Sequence, residues 1–294
     1  MQNSILITAY TDIPYLFNLV EKLCCIADIY IHIDKKTNIK HSFLNALENI
    51  KNVKSVGCIY SVNWGGRRHV DAILWLCKEA LKKSPNSKYY HLISGNDIYV
   101  KEDCFLDVFA NNNSGIYMNY FSLPSTSWEG GGMNRLMYKH PLDRLNIRNY
   151  TDYCIYQRYI KLQIRNNVLR DLPTFSIYGG SSWWSITHNA LKYILENYNW
   201  NGWYDRLEDT FVPDEMYFQT LLLNSPFKEN VVNDNLRYIL WEEKNGHLPA
   251  ILDETNIADI LSSNAIFARK VQNTISRKLI DYFDKKELSS NEIL

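Results

Sequence analysis

SILITAYTDIPYLFNLVEKLCCIADIYIHID, residues 4–34, sets two structural periods side by side. Residues 4–10 (SILITAY) form a short apolar run of the kind a buried strand carries, and residues 28–33 (DIYIHI) form a second, ending at Asp34. Between them Leu16, Leu19, Val20 and Leu23 recur at helical spacing, with Pro14 placed to open the helix. The alternation continues outward. A polar helix is expected over residues 41–50, a strand over 55–60, and an amphipathic helix where Val70, Ile73, Leu74, Cys77 and Leu81 share one face. Residues 89–93 (YYHLI) make a fourth strand, closed by Ser94-Gly95-Asn96-Asp97. This order predicts a parallel sheet with helices on both faces, which binds ligands beyond the carboxyl ends of its strands. Asp34, Trp64-Gly65-Gly66 and Gly95-Asn96-Asp97 all fall near those ends.

After Gly115 the order is less regular. Residues 128–132 (WEGGG) read as an exposed flexible loop, 151–164 as a helix, and 178–186 (YGGSSWWSI) as a glycine turn leading into an aromatic strand. A helix follows over 188–196, another is expected to begin at Pro213, and the polar residues 284–294 are expected to fray. With 294 residues, no internal repeat and no low-complexity linker, the chain reads as one domain. Residues 1–120 form its nucleotide-binding half and 121–283 its acceptor and catalytic half.

Lys and Arg number 32 and Asp and Glu 32, so the chain lacks the basic excess of a nucleic-acid binder. The 21 Tyr and 8 Trp suit sugars, whose apolar C–H faces stack on rings, although rings fill cores equally well. The six cysteines include no Cys-x-x-Cys pair, which argues against a zinc knuckle or a thioredoxin-type site and suggests reduced, structural thiols. The amino terminus runs directly into a strand and no apolar stretch approaches a membrane span, so an intracellular, cytoplasmic protein is expected. Peripheral association with the inner face of a membrane stays open, because the acceptor could be lipid-linked.

Glu215, in Val212-Pro213-Asp214-Glu215, is a candidate general base, held rigidly by a helix start, with Asp214 fixing the loop beside it. The same residues are also ordinary helix-start chemistry. Arg269-Lys270 is a candidate clamp for a departing diphosphate, with Arg237 and His247 as further candidates. Each of these is equally what a solvated surface cation looks like. There is no Asp-x-Asp in the chain, and the place after the fourth strand holds one carboxylate, Asp97. Hard divalent cations want clustered oxygens, so no metal and no other cofactor is expected.

Seven segments in order, IHIDKK (31–36), VNWGGRRHVDA (62–72), YHLISGNDIYVK (90–101), YGGSSWWSIT (178–187), PDEMYFQTLLLNSPF (213–227), NLRYILW (235–241) and FARK (267–270), resemble the core-2/I-branching glycosyltransferase family, which also includes peptide O-xylosyltransferases. The resemblance implies a GT-A-type fold, a Rossmann-like mixed sheet flanked by helices. It also implies a UDP-sugar donor (N-acetylglucosamine or xylose), a glycan or lipid-linked glycan acceptor, inversion and metal independence, in a bacterial member that builds polysaccharide. It assigns the base to Glu215, a diphosphate contact to Lys270 and the nucleotide pocket to Asp34. Glu129, Ser181, Trp183 and Trp184 fall on the acceptor side. The family's second diphosphate residue, an Arg, falls near His247, whose neutral imidazole is a weaker clamp. Two rival functions remain: a glycoside hydrolase, which needs two carboxyl groups facing each other across a bond, and an inactive sugar-binding relative.

Overall fold

The computed structural model describes residues 2–100, 109 and 114–291, with side chains no further than Asp284. Four strands lie parallel in the order β4-β1-β2-β3: β1 (Asn3–Ala9), β2 (Asp28–Ile33), β3 (Val53–Gly57) and β4 (Tyr89–Ser94). The helices α1 (Ile13–Leu23), α2 (His41–Glu48) and α3 (Arg68–Lys83) connect them. Beyond β4 the direction reverses. β9 (Trp184–Thr187) runs antiparallel to β4, β6 (Ile116–Met118) runs antiparallel to β9, and β10 (Val231–Val232) runs parallel to β6. The result is one seven-stranded mixed sheet, so the purely parallel expectation holds only where strands and helices alternate. A separate two-stranded ladder pairs β7 (Phe121–Ser122) antiparallel with β8 (Tyr178–Gly179), just ahead of Gly180.

Strand alternation divides the core between the two faces of the large sheet. Ile5, Ile7, Ile29, Ile31, Ile33 and Ile93 point to one side, where α1 and the final helix (Arg277–Asn291) bring Leu16, Leu19, Leu279 and Phe283 against them. Leu6, Tyr30, Tyr90 and Leu92 point to the other, packing on Ile73 and Cys77 of α3 and on Phe218 and Leu222. Each such side chain, wholly removed from water, contributes about 1.5–3 kcal/mol. Segment 284–291, expected to fray, continues the final helix, and 292–294 lie outside the described residues. Among the described residues no helix is long and apolar enough to cross a membrane. Cys24, Cys25, Cys58, Cys77 and Cys154 are free thiols, and Cys104 lies outside the described residues.

A further, three-stranded sheet has the order β11-β12-β5, formed by β5 (Asp97–Tyr99), β11 (Arg237–Ile239) and β12 (Phe267–Arg269). β12 runs antiparallel to β5 with Arg269 opposite Asp97. This small sheet carries the carboxyl-terminal basic segment to the carboxyl end of β4.

Candidate active site

Pro213–Glu215 is a tight 3-10 turn rather than the start of a regular helix, which begins only at Tyr217 (Tyr217–Leu223). The separation comes from Val212, in left-handed backbone at φ 49°, and Met216 at φ −133°, neither of which continues a helix. Two backbone bonds pin the turn: Val212 N donates to Gly65 O and Gly180 N donates to Glu215 O, both at 2.9 Å. Gly180 must be glycine, because a Cβ there would stand 1.9 Å from the carbonyl oxygen of Asn119. Its neighbour Gly179 leaves the space that the Trp128 ring fills.

The adjacent carboxylates of this turn have opposite surroundings. Asp214 is buried, with His69 Nδ1 at 3.0 Å and the Ser182 hydroxyl donating at 2.7 Å. Burial pushes its pKa up, but the charge and hydrogen bond of His69, with Ser182, outweigh that and hold it below the ordinary carboxylate range. Glu215 keeps a quarter of its side chain exposed and accepts a 2.7 Å bond from Arg135 Nη1 on Oε2. Burial, then the charge of Asp214, raises its pKa above the ordinary value, while Arg135 and His69 restrain the rise. The two carboxyls are thus pushed in opposite directions, Asp214 towards the ionised form and Glu215 towards the protonated one.

Contacts run on from this turn towards the basic segment. His69 meets the Trp183 ring edge-on at 6.4 Å between centroids. The Arg269 guanidinium carbon sits 4.1 Å from the centre of the same Trp183 ring, a cation–π contact. Arg269 Nε also donates to Asp97 Oδ1 at 3.0 Å, and Ser94 Oγ donates to the same oxygen. Asp97 therefore faces a guanidinium, and among the described residues no group of three or more His, Cys, Asp or Glu could hold a metal ion. Lys270 is half-buried, and among the described residues its amine has no hydrogen-bond or ion-pair partner. Burial lowers its pKa, as do the nearby charges of Arg269 and Arg148. An unpaired ammonium beside two further cations is a seat for an anion.

The remaining expected site residues are scattered. Asp34 is buried at the end of β2, and its Oδ1 accepts from Lys36 N at 2.9 Å and Val62 N at 3.2 Å, tying the two strand-end loops together. Trp64 is 49% exposed with its ring edge on Phe211, which in turn lies under Arg135. Ser181 is half-buried, and its carbonyl accepts from the Gln219 side chain. Glu129 is exposed, on a 3-10 turn (Glu129–Gly132). The stretch expected as a flexible loop is in fact anchored, because Trp128 packs under Arg135, whose guanidinium carbon lies 3.5 Å from the ring centre.

Two expectations need correction. Trp184, expected on the acceptor side, has no exposed surface and packs on Phe218; β-strand alternation turns it into the core. Arg237 is buried, and its two Nη atoms donate to Ser185 Oγ and to the carbonyls of Asn235, Leu92 and Trp184, so its donors hold strands rather than a phosphate. His247 stands in an exposed turn closed by the Lys244–His247 bridge, three residues before Ala250, whose carbonyl accepts from Lys270 N at 3.3 Å.

Arg135 and His69, which contact Glu215 and Asp214, and Arg148, whose charge acts on Lys270, are residues that the sequence does not single out. His69 lies inside the quoted RRHVDA segment, where it reads as part of the polar face of α3. Arg135 and Arg148 lie in irregular chain with no period to mark them.

The Core-2/I-Branching enzyme family model matches residues 7–260 of this chain. Xylosyltransferase 2 of Rattus norvegicus is 25% identical over 276 residues, covering 87% of this chain and 30% of that protein. A beta-glucuronosyltransferase of Arabidopsis thaliana is 32% identical over 111 residues, covering 34% of this chain and 24% of that protein. The chain thus spans between 21% and 30% of the length of the xylosyltransferases it matches. Among solved structures, a mannose-1-phosphate geranyltransferase from Thermus thermophilus is similar at a TM-score of 0.32 and 11% identity, covering 75% of this chain and 72% of that one. A likeness that distant bears on neither fold nor function. The family match takes in the Asp34 loop, β4 with Asp97, and the Asp214–Glu215 turn, and on it the chain belongs to the Core-2/I-Branching enzyme family.

Proposed function

We propose that this chain transfers a sugar from a UDP-sugar to a hydroxyl of a glycan or lipid-linked glycan, inverting the anomeric carbon and using no metal. N-acetylglucosamine and xylose are the sugars that the family resemblance favours. The observation that carries the reading is the continuous line of contacts joining Glu215 and Asp214, through His69 and Trp183, to Arg269 and its neighbour Lys270. A base and a cluster of cations, far apart in sequence, share one site.

In this reading Glu215 takes the proton of the acceptor hydroxyl through the carboxylate oxygen that Arg135 leaves free. The acceptor oxygen forms its bond to the anomeric carbon while the bond from that carbon to the phosphate oxygen breaks, and UDP departs with the electron pair. Lys270 and Arg148 receive the diphosphate charge, with Arg269 held behind them by Asp97. Arg148 is a further candidate for the second diphosphate contact, alongside His247. General base catalysis of this kind contributes about 10²–10⁴-fold. A hydrolase reading fits less well, because Asp214 and Glu215 are adjacent in one turn and Asp214 is engaged with His69 and Ser182.

A thermal-shift screen of UDP, GDP, CMP and UDP-sugars with EDTA throughout tests the donor class, since a ligand that binds only the folded state raises its melting temperature. Selective stabilisation by UDP and one UDP-sugar is expected. Stabilisation by none of them, or only after Mn²⁺ replaces EDTA, contradicts the proposal.

A further inference from the structure

The helix Tyr150–Arg165 (α4) shows an unusual surface. Of the seventeen large apolar side chains that stand exposed among the described residues, nine fall between 150 and 172. Six are on α4 itself, namely Tyr150, Tyr153, Ile155, Tyr159, Leu162 and Ile164, and Val168, Leu169 and Leu172 follow directly. Only Tyr156 and Gln163 of α4 are buried. They anchor it firmly: the Tyr156 hydroxyl lies 2.8 Å from His140 Nδ1, and the Gln163 amide bonds both the N–H and the carbonyl of Lys139.

At 100° per residue, Cys154, Arg158, Lys161 and Arg165 form the outermost ridge, opposite those anchors. Ile155 and Leu162 flank the ridge on one side, and Tyr153 and Ile164 flank it on the other. Arg158, Lys161 and Arg165 are exposed and have no ion-pair or hydrogen-bond partner among the described residues. No Asp or Glu occurs from 153 to 170, in a chain whose formal net charge is zero.

We propose that α4 is a docking surface for an anionic lipid bilayer. Long cationic side chains reach lipid phosphates while the flanking tyrosines and aliphatics enter the headgroup boundary. Charge argues against a second copy of the chain as the occupant, since a two-fold contact along this ridge sets Arg158, Lys161 and Arg165 against their own equivalents. The helix begins two residues after Arg148, so docking holds the proposed donor site close to the bilayer, where a lipid-linked acceptor lies. The surface itself does not rest on the sugar-transfer reading. Vesicle binding without transfer, or transfer without vesicle binding, separates the two.

Flotation of the full chain tests this, using vesicles of phosphatidylcholine alone and of equal parts phosphatidylcholine and phosphatidylglycerol. Binding is expected only to the anionic vesicles, and high salt should release it. The triple variant Arg158→Glu/Lys161→Glu/Arg165→Glu should bind at least on the order of a hundredfold more weakly, and Lys161→Gln alone about fivefold, which keeps the test readable if the triple variant folds poorly. Tyr153→Ser/Leu162→Ser should cost roughly tenfold. The proposal is overturned if anionic vesicles do not bind the chain, if the charge variants float as the wild type does, or if the triple variant instead dissociates a dimer.

Discussion

Removing the positive charge of Arg135 should move the pH dependence of catalysis upward. Its Nη1 lies 2.7 Å from Glu215 Oε2, with less than a fifth of the arginine and a quarter of the glutamate side chain exposed. An opposite charge this close lowers a carboxyl pKa by roughly one to three pH units, whereas burial and Asp214 already push Glu215 the other way. In Arg135→Met the restraint goes and the raising influences remain, so the protonated, inactive form of Glu215 persists to higher pH. The acid limb of kcat/KM should shift up by roughly one to three pH units, and activity at a fixed pH on that limb should fall by about tenfold per unit. Activity should recover as pH rises past the new limb. Arg135→Lys keeps the charge but not the planar stack on Trp128, and should shift the limb less. The assay is UDP release across a pH series for the three proteins. A uniform loss at every pH, with the limb unmoved, would exclude Arg135 as the restraint on Glu215 and make it a substrate contact instead.

Lys270→Ala should weaken UDP binding by roughly 10–150-fold, as expected for a charge-assisted hydrogen bond, and titration calorimetry reads it directly; unchanged affinity removes Lys270 from the clamp. Gly180→Ala should destabilise the fold by about 3 kcal/mol or more in urea unfolding, since its Cβ meets the Asn119 carbonyl at 1.9 Å. His32 is 1% exposed, and burial, together with the charge of His69, lowers its pKa to about 4. Because the folded value lies below the unfolded one, the unfolded chain binds the proton first as pH falls. Stability from His32 is therefore complete above about pH 6.5 and declines by about 3 kcal/mol towards pH 4. His32→Gln, which keeps an acceptor for the Tyr60 N–H, should flatten that part of the urea-midpoint profile.

The legibility of this chain follows the range of its interactions. β1, β2, β4 and α3 are visible because each buries a run of apolar side chains with its own period. β11 and β12 are three residues each, too short for a period, so no sequence pattern announces the sheet they form with β5. The site shows the same division. Glu215 and Lys270 stand out as residue types in recognisable segments. The partners that give them chemistry are remote: Arg135 is 80 residues from Glu215, and Asp97 is 172 from Arg269. Trp183 and Trp184 look equivalent in sequence and both are buried, yet Trp184 packs on Phe218 in the core while Trp183 meets His69 and Arg269. Arg237 and Arg269 also look alike, yet one binds strand carbonyls and the other a carboxylate and an indole face.

Glu215 is proposed as the base of a sugar transfer from UDP. That role is tested most directly by comparing Glu215→Gln with the wild type for transfer from a UDP-sugar, while UDP affinity is measured on the same preparations. The amide is close in shape to the carboxylate but cannot take the proton. Transfer should fall by about 10²-fold or more while UDP affinity is nearly unchanged. Near-full turnover in Glu215→Gln would contradict that role.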